Sequence, residues 1–331
     1  MRKLITRVLL VFVAFNTGLI LITLLLSLQA SSEYPMQGTL VKAGEHELHV
    51  IDSGSAQRAD DFTIVLIHGA STSALDFSTN LHPALATQWR VLSLDRPGHG
   101  YSDRGDESLA TDPAQQANVI LDALHTLDIK KPVLIGHSWA GSVVMAALLA
   151  NHEHINVAAG VLIAGAIYPW EGGSAWHVEL SARPVLGDLF VWQYVAPLGR
   201  LSLDDAVKEV FAPEQVPPHY VSDTGLSLSL RPATYKHNSL DRTELSGYLA
   251  LQAPNYPSIT QPLLSIAAEF DHVVPAWNHH NRLINKLDHV QAFLIEGAGH
   301  APHHTRTGLV ASTIESFIRS LPEHDVSRPV E

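Results

Sequence analysis

The first pattern along the chain is a 21-residue stretch, Val8 to Leu28, that carries no charge and holds four polar residues. At 1.5 Å of rise per residue, roughly 20 apolar residues span a bilayer core as one helix. The stretch is apolar on every face and terminal, which disfavours a buried core helix. Basic residues precede it, at Arg2, Lys3 and Arg7. The positive-inside rule therefore predicts a cytoplasmic tail over residues 1–7, a transmembrane helix over 8–28, and the rest on the non-cytoplasmic side.

A cleavable signal peptide is the competing interpretation of this stretch. Signal peptides have an apolar core of about 7 to 15 residues and small residues at the cleavage site. Ala30, Ser31 and Ser32 are suitable residues for such a site. The length of the apolar run favours an uncleaved anchor, so we expect a single-pass membrane protein, with secretion after cleavage as the alternative.

From about Pro35 the pattern changes to short apolar runs that alternate with amphipathic helices. The runs at 62–69, 89–95 and 131–138 are rich in Val, Ile and Leu, as strands buried on both faces are. Further strands are expected in a hairpin around Ala43-Gly44-Glu45 and at 160–166, 262–269 and 290–297. Helical periodicity covers 112–127 and 308–320.

This alternation predicts an α/β fold with a mostly parallel, doubly wound sheet flanked by helices. The segment 168–258 breaks the alternation, and we expect it to be a helical lid inserted between the sixth and seventh strands. The core is then divided into residues 35–167 and 259–322. The aromatic residues of the lid are expected to pack it onto the core, and some to line an apolar acyl pocket. They are Trp170, Trp176, Phe190, Trp192, Tyr194, Phe211 and Tyr220.

Composition excludes several function classes. A net charge of -12 over 331 residues, with no Lys/Arg run in the body of the chain, argues against nucleic-acid binding. The absence of cysteine excludes disulfides, thiolate metal sites and a cysteine nucleophile. The 20 histidines show no metal-ligand spacing, so we expect no metal site. We expect the histidine pairs to lie at the surface; they are His46/His49, His152/His154, His279/His280 and His303/His304.

A strand, a serine in a tight turn and a helix follow one another around Ser138. The residues that flank the serine must be small in such a nucleophile elbow, and Gly136 and Ala140 are. Ala140 stands where the usual motif has glycine. The turn places Ser138 at a helix N-terminus, which favours a developing negative charge. We expect the Trp139 N–H and the Ala70 N–H, after the 62–69 run, to donate to an oxyanion.

A serine hydroxyl needs a base, and the base needs an orienting acid. His300 follows the last strand and Asp271 the strand before it, so both lie at the carboxyl edge of the sheet. The chain order Ser138, Asp271, His300 is the order expected for a nucleophile-elbow hydrolase. Glu171 is the alternative acid, and the nearby His303 and His304 are alternative bases.

Other polar residues have structural interpretations. Ser138 is also suited to be an ordinary helix N-cap, although a cap needs neither small neighbours nor downstream partners. We expect His68 to be structural. Asp95, Arg96 and Asp103 are expected to hold the loop that follows their strand.

Five segments in the right order carry a family resemblance. They are HGAST at 68–72, LDRPGHGYSD at 94–103, GHSWAG at 136–141, EFDHVVP at 269–275 and GAGH at 297–300. With them the chain resembles the α/β-hydrolase superfamily, in particular its lid-bearing esterase, lipase and haloperoxidase-like branch. The resemblance implies hydrolysis through an acyl-enzyme without a cofactor. It assigns the triad to Ser138, His300 and Asp271, and the oxyanion hole to Ala70 and Trp139.

We therefore expect an ester hydrolase that acts on a small, apolar substrate. A peptidase, thioesterase, lactonase or cofactor-free haloperoxidase would use the same triad, because the lid sets specificity. Dehalogenases and epoxide hydrolases are disfavoured, since their nucleophile is an aspartate and the elbow residue here is Ser138. A catalytically silent binding protein is the alternative of another class, and the intact triad argues against it.

Overall fold

One sheet of eight strands organises the parts of the chain that the computed structural model describes, residues 1–54, 62–105 and 110–322. The strands are β1 (Thr39–Ala43), β2 (His46–Asp52), β3 (Phe62–Ile67), β4 (Arg90–Leu94), β5 (Lys131–His137), β6 (Ala159–Ile163), β7 (Leu263–Ala268) and β8 (Val290–Ile295). Their order is β1-β2-β4-β3-β5-β6-β7-β8. The β1–β2 and β2–β4 pairs are antiparallel, and all other pairs are parallel. The predicted fold class is confirmed.

Helices cover both faces of this sheet. They are α1 (Arg2–Glu33), α2 (Leu81–Leu85), α3 (Pro113–Thr126), α4 (Gly141–Leu149), α5 (Trp176–Ala182), α6 (Leu186–Phe190), α7 (Ala196–Phe211), α8 (Tyr220–Asp223), α9 (Pro232–Gln252), α10 (His280–Ile284), α11 (Pro302–Thr305) and α12 (Thr307–Ser320). One apolar cluster lies between the sheet and α3 and α4, and a second lies between the sheet and α2 and α12. Strands β3, β6 and β7 are buried at every position, as strands covered on both faces are.

Five helices, α5 to α9, stand between β6 and β7. We call residues 164–262 the helical insert; it contains the predicted lid range 168–258. A π-helical turn, Val191–Val195, joins α6 to α7. Helix α9 is the longest element of the insert, and α5 packs along it. The insert therefore has its own helical framework, placed over the sheet edge where the parallel strands end.

Helix α1 is long and apolar enough to cross a membrane, as both an anchor and a signal sequence would be. Residues 1–15 are exposed, and partial burial begins at Asn16. Further along, Thr23 and Ala30 are fully buried. Helix α1 contacts the π-helical turn and α7 of the helical insert, and Ala30 packs with Leu75 of the core and Leu228 of the insert. The C-terminal half of α1 is thus part of the folded structure.

Candidate active site

Three predicted side chains meet at the carboxyl edge of the sheet. Ser138 follows β5, Asp271 follows β7, and His300 follows β8. His300 Nε2 lies 2.9 Å from Ser138 Oγ, and His300 Nδ1 lies 2.8 Å from Asp271 Oδ2. All three are at most 8 % exposed. If Nδ1–H donates to the carboxylate, Nε2 is free to accept the serine proton, which is the arrangement a general base requires.

The turn around Ser138 is as tight as the sequence suggested. Ser138 has a φ of 54°, a left-handed conformation that costs a non-glycine residue about 1–3 kcal/mol. A Cβ on Gly136 would lie 2.5 Å from the Ala140 carbonyl oxygen, and one on Gly141 would lie 2.7 Å from Gly165 Cα. The two close approaches therefore fall at Gly136 and Gly141. The methyl group of Ala140 is accommodated in a fully buried position.

The backbone after β7 orients the acid. Asp271 Oδ1 accepts hydrogen bonds from the N–H groups of Val273, at 2.8 Å, and Val274, at 2.7 Å. This leaves Oδ2 directed at His300. Glu171, the alternative acid, lies exposed after β6. The alternative bases His303 and His304 instead direct their Nε2 atoms to Asp76.

The helical insert holds the loop that carries His300. The His300 N–H donates to the Val210 carbonyl at 3.0 Å. A Cβ on Gly299 would lie only 2.5 Å from the Ala212 carbonyl oxygen, so the end of α7 is in close backbone contact with this loop. The Gly299 N–H also donates to Glu214. Sequence reasoning missed these contacts, because nothing local marks Val210 or Glu214.

The predicted oxyanion loop lies beside Ser138. A Cβ on Gly69 would be 3.0 Å from Ser138 Cβ, so glycine permits this approach. The next residues are tied to the insert: Ser71 N–H donates to Asn238 Oδ1 at 2.7 Å, and Asn238 Nδ2 donates to Ser71 Oγ at 3.0 Å. Ala70 lies between these two fixed points. Trp139 follows Ser138 in the short helical turn Ser138–Ala140, and its buried indole N–H donates to the Asp241 carbonyl.

A buried ion pair joins the core to the insert next to this loop. Arg96 Nη1 lies 2.7 Å from Asp241 Oδ2, and Arg104 Nη2 lies 2.8 Å from Asp241 Oδ1. Arg96 also donates to the carbonyls of His68 and Gly69. Burial together with the Arg96 charge lowers the pKa of His68 to about 4. The arginine therefore fixes the residues that lead into Ala70, and its carboxylate partner, Asp241, was not predicted.

The loop after β4 is held by Asp95. Its carboxylate accepts from the Ala74 N–H at 2.7 Å and the Tyr101 N–H at 2.8 Å, and it faces His49 Nδ1 at 2.7 Å. Asp103 accepts from the Glu47 N–H at 2.8 Å. These are the loop-holding contacts expected of the two aspartates.

The expectation that the paired histidines lie at the surface is wrong for His49, His279, His280 and His303, which are at most 7 % exposed. Each has a fixed polar partner for at least one ring nitrogen, although His303 Nδ1 has no hydrogen-bond partner among the described residues. His280 Nδ1 lies 2.8 Å from Ser265 Oγ, for example, and His279 Nδ1 accepts from the backbone N–H of Ile167 and Tyr168. Burial lowers the pKa of His279 to about 4.

A second buried histidine–carboxylate cluster surrounds Asp76, behind His300. His304 Nε2 and His303 Nε2 lie 3.0 and 3.3 Å from its carboxylate. Burial alone would raise the pKa of Asp76, but these histidines hold it well below its usual value. Asp76, His137 and His303 each offer a ligand atom within 4.8 Å of the others, and such nitrogen and oxygen donors suit Zn²⁺. The hydrogen bonds to Asp76 fix Nε2 of His303 and His304, whereas Nδ1 of His303 and Nδ1 of His137 have no hydrogen-bond partner in the described part of the chain.

Comparison with known proteins identifies the family of this chain. Residues 64–313 match the alpha/beta hydrolase family. The chain is 28 % identical over 273 residues to the pimeloyl-(acyl-carrier protein) methyl ester esterase of Xanthomonas campestris, covering 78 % of this chain and 96 % of that protein. It is 32 % identical over 124 residues to a 2-hydroxy-6-oxononadienedioate/2-hydroxy-6-oxononatrienedioate hydrolase of Cupriavidus pinatubonensis. That match spans 35 % of this chain and only 40 % of the relative.

Among solved structures, a bacterial membrane phospholipase A superposes with a TM-score of 0.65 at 21 % identity, covering 97 % of this chain and 98 % of that one. At this identity the likeness concerns the fold alone. Because the superposition covers 97 % of this chain, it must include most of the 32-residue helix α1. Because the family match extends over residues 64–313, the chain belongs to the alpha/beta hydrolase family.

Proposed function

We propose that the protein is a membrane-anchored serine esterase that cleaves a small, apolar ester through an acyl-enzyme. The observation that carries this proposal is the hydrogen-bonded series Ser138–His300–Asp271, with the serine at a positive φ after a buried strand. The name and near-complete coverage of the methyl ester esterase relative support an ester as the substrate.

In the proposed reaction, His300 Nε2 takes the proton from Ser138 Oγ as the oxygen attacks the ester carbonyl carbon. The resulting oxyanion is held by the backbone N–H groups of Trp139 and Ala70. When the intermediate collapses, the C–O bond to the alcohol breaks and His300 returns the proton to the leaving oxygen. Water, deprotonated by the same imidazole, then attacks the acyl carbon; the bond from this carbon to Ser138 Oγ breaks, His300 returns the proton to Oγ, and the acid is released. Asp271 keeps Nδ1 protonated and stabilises the imidazolium throughout.

A labelling and hydrolysis experiment tests the proposal. A fluorophosphonate should label the wild type at Ser138, and a series of p-nitrophenyl esters should be hydrolysed. Ser138→Ala should lose both, with a kcat reduced by up to about a millionfold, because only this hydroxyl can form the acyl-enzyme. Ser142→Ala is the matched control, since this serine lies four residues along, where its hydroxyl donates to the Trp139 carbonyl. Retention of activity in Ser138→Ala would reject the nucleophile. Efficient turnover of thioesters, lactones or peptides, with no ester hydrolysis, would reassign the substrate class.

We also propose that α1 is an uncleaved anchor, that the hydrolase domain faces away from the cytoplasm, and that the helical insert acts as a lid. The contacts of α1 with the insert, among them Leu26 against Val191 and Val195, support retention of α1, since cleavage near Ala30 would remove them. Fractionation of the full chain with a C-terminal tag tests the anchor. A soluble exported product about 30 residues shorter would contradict it. Accessibility of the tag to protease from the outer face tests the orientation.

A further inference from the structure

We infer that the apolar face of the helical insert beside α1 is a membrane-docking surface, which lies in the bilayer leaflet on the side of the hydrolase domain. We call it the bilayer face and define it by five side chains that are 41–68 % exposed: Val185, Leu186, Leu189, Trp192 and Leu198. The inference rests on the proposed anchor role of α1 and changes that role from a tether into one part of a larger membrane-embedded surface.

The first observation is that the insert runs alongside the apolar part of α1. Leu26 packs against Val191, Val195 and Ala196 at the junction of the π-helical turn and α7. Partial burial of α1 begins at Asn16, so the insert covers about half of the predicted transmembrane stretch. At 1.5 Å per residue, the covered portion from residue 16 to 28 is about 20 Å long, against roughly 15 Å for the hydrocarbon of one leaflet. A bilayer that surrounds α1 must therefore also meet the insert.

The second observation is that the uncharged stretch of α1 and the uncharged stretch of the insert end next to each other, each at a charged residue. Helix α1 has no charged residue between Arg7 and Glu33, and the insert has none between Asp188 and Arg200. Glu33 and Arg200 lie 3.5 Å apart. A cavity of about 460 Å³ opens beside this pair and is lined by further charged residues, Asp204 and Lys208. One plane thus separates apolar from charged surface on both elements, as the boundary between acyl chains and headgroups does.

Residues at the rim of the bilayer face are suited to the boundary between acyl chains and headgroups. Asp188, the one acidic residue of α6, pairs with Lys236 at 3.0 Å, so it does not enter the leaflet as an isolated charge. Arg183 lies exposed beside Val185, where it is suited to contact lipid phosphates. Trp176 is 69 % exposed and its ring lies 5.9 Å from that of Phe190. Tryptophan is enriched at membrane interfaces.

Continuity with α1 favours lipid over a second copy of the chain as the occupant. Residues 8–15 of α1 are exposed around the whole helix, as a lipid-embedded segment is. The bilayer face lies beside the following part of α1, and Asp188, the charged residue within it, is paired with Lys236. Contiguous exposed apolar patches of this kind mark membrane or protein contacts, and the position of this one beside a proposed anchor selects the membrane.

The absence of cysteine makes a direct test possible in the full chain. Leu186→Cys reports on the bilayer face, Leu21→Cys on the exposed side of α1, and Ser312→Cys on the exposed side of α12. Each variant is labelled with a polarity-sensitive fluorophore and reconstituted into phosphatidylcholine–phosphatidylglycerol vesicles, with or without brominated acyl chains. We expect the brominated chains to quench positions 186 and 21 and to leave position 312 unquenched.

Each other result overturns the inference and identifies what failed. Quenching at position 21 but not at 186 rejects the bilayer face and leaves the anchor intact. Absence of quenching at both positions rejects the anchor and, with it, the inference. Oxidative cross-linking of Leu186→Cys between copies, without quenching, assigns the face to a second copy. Hydrolysis of a water-soluble ester is measured on the same vesicles, so a failure of the proposed esterase function is seen separately from a failure of docking.

A pair of charge substitutions tests the functional consequence. Leu186→Asp combined with Leu189→Asp should lower hydrolysis of a small, apolar ester that partitions into the vesicles by at least about tenfold, because a carboxylate is costly in hydrocarbon. Hydrolysis of a water-soluble ester should change by less than about twofold. Leu309→Asp, on exposed α12, is the control and should change neither rate. Equal losses on both substrates would show damage to the fold and count against the bilayer face.

Discussion

In the sheet, β3, β6 and β7 are buried at every position, whereas the helical insert leaves Trp176, Leu186 and Leu201 60–83 % exposed. The sheet carries Ser138, Asp271 and His300, the proposed nucleophile, acid and base, at the ends of its strands. The insert supplies contacts that hold those groups, through Val210 to the His300 loop and through Asn238 to the Ala70 loop. The proposed catalytic groups thus follow strands of the buried sheet, and their loops are held by a helical insert that exposes large apolar side chains.

The largest expected effect lies on the sheet side of this comparison. His300→Ala should lower kcat for ester hydrolysis by about a millionfold, because His300 is hydrogen-bonded to both Ser138 and Asp271. His303→Gln and His304→Gln, which each keep a donor for Asp76, should stay within about tenfold of wild type. The measurement is the steady-state kinetics of p-nitrophenyl ester hydrolysis. Comparable losses in all three variants would move the base away from His300.

Removal of the acid should have the next largest effect. Asp271→Asn should lower kcat by about 10⁴-fold, because the amide can hold the imidazole in the wrong tautomer. Glu171→Gln, at the exposed alternative position, should leave kcat near wild type. The same kinetic assay compares the two variants. A large loss in Glu171→Gln alone would place the acid after β6 instead of after β7.

The link between sheet and insert can be broken at Asp241. Asp241→Asn leaves Arg96 and Arg104 without their buried carboxylate, which should lower the free energy of unfolding by about 3–5 kcal/mol. Asp188→Asn removes a carboxylate from a half-exposed pair with Lys236 and should cost no more than about 1 kcal/mol. Urea unfolding in detergent, followed by tryptophan fluorescence, gives both values. Equal costs would mean that the buried pair is no more important than a surface one.

The smallest expected effect concerns acid stability. The folded protein holds the pKa of His279 at about 4, below the ordinary value of 6.5. Between these values the unfolded chain binds a proton that the folded chain does not, so the stabilisation present above pH 6.5 is lost as the pH falls towards 4. The loss is up to about 3 kcal/mol for this histidine.

His279→Gln should flatten that pH dependence, because the glutamine carbonyl can still accept from the Ile167 and Tyr168 N–H groups but cannot titrate. The measurement is the urea midpoint from pH 7.5 to 4.5. His289→Gln, at an exposed position, is the control and should keep the wild-type slope. An unchanged slope in His279→Gln would show that other groups set the acid limit.

The sequence predicted the parts of the fold and site that depend on short segments. Apolar runs located the strands, and the small residues around Ser138 indicated the turn that the structure contains. Chain order then placed His300 and Asp271 at the same sheet edge, where the structure brings both together with Ser138. Each of these inferences needed only a few neighbouring residues and the rule that parallel strands end at one edge.

What the sequence did not reveal depends on contacts between distant segments. Asp241 stands on α9, 145 residues from its partner Arg96, and its neighbours in sequence give no sign of burial. Histidines His279, His280 and His303 were expected to be exposed because histidine is intermediate in polarity, and only their tertiary partners explain their burial. Val210 acts through its backbone carbonyl, which no side-chain pattern can mark.

The hydrogen bond from His300 N–H to the Val210 carbonyl has a consequence for engineering. An insert of this type can be exchanged between related enzymes to change substrate specificity, if it is an independent module. Here the insert supports the backbone of the proposed base, so a transplanted insert that shifts this carbonyl by a fraction of an ångström would also displace the imidazole. Chimeras should therefore lose turnover before they gain a new substrate, unless the end of α7 and the loop up to Glu214 are kept from the host.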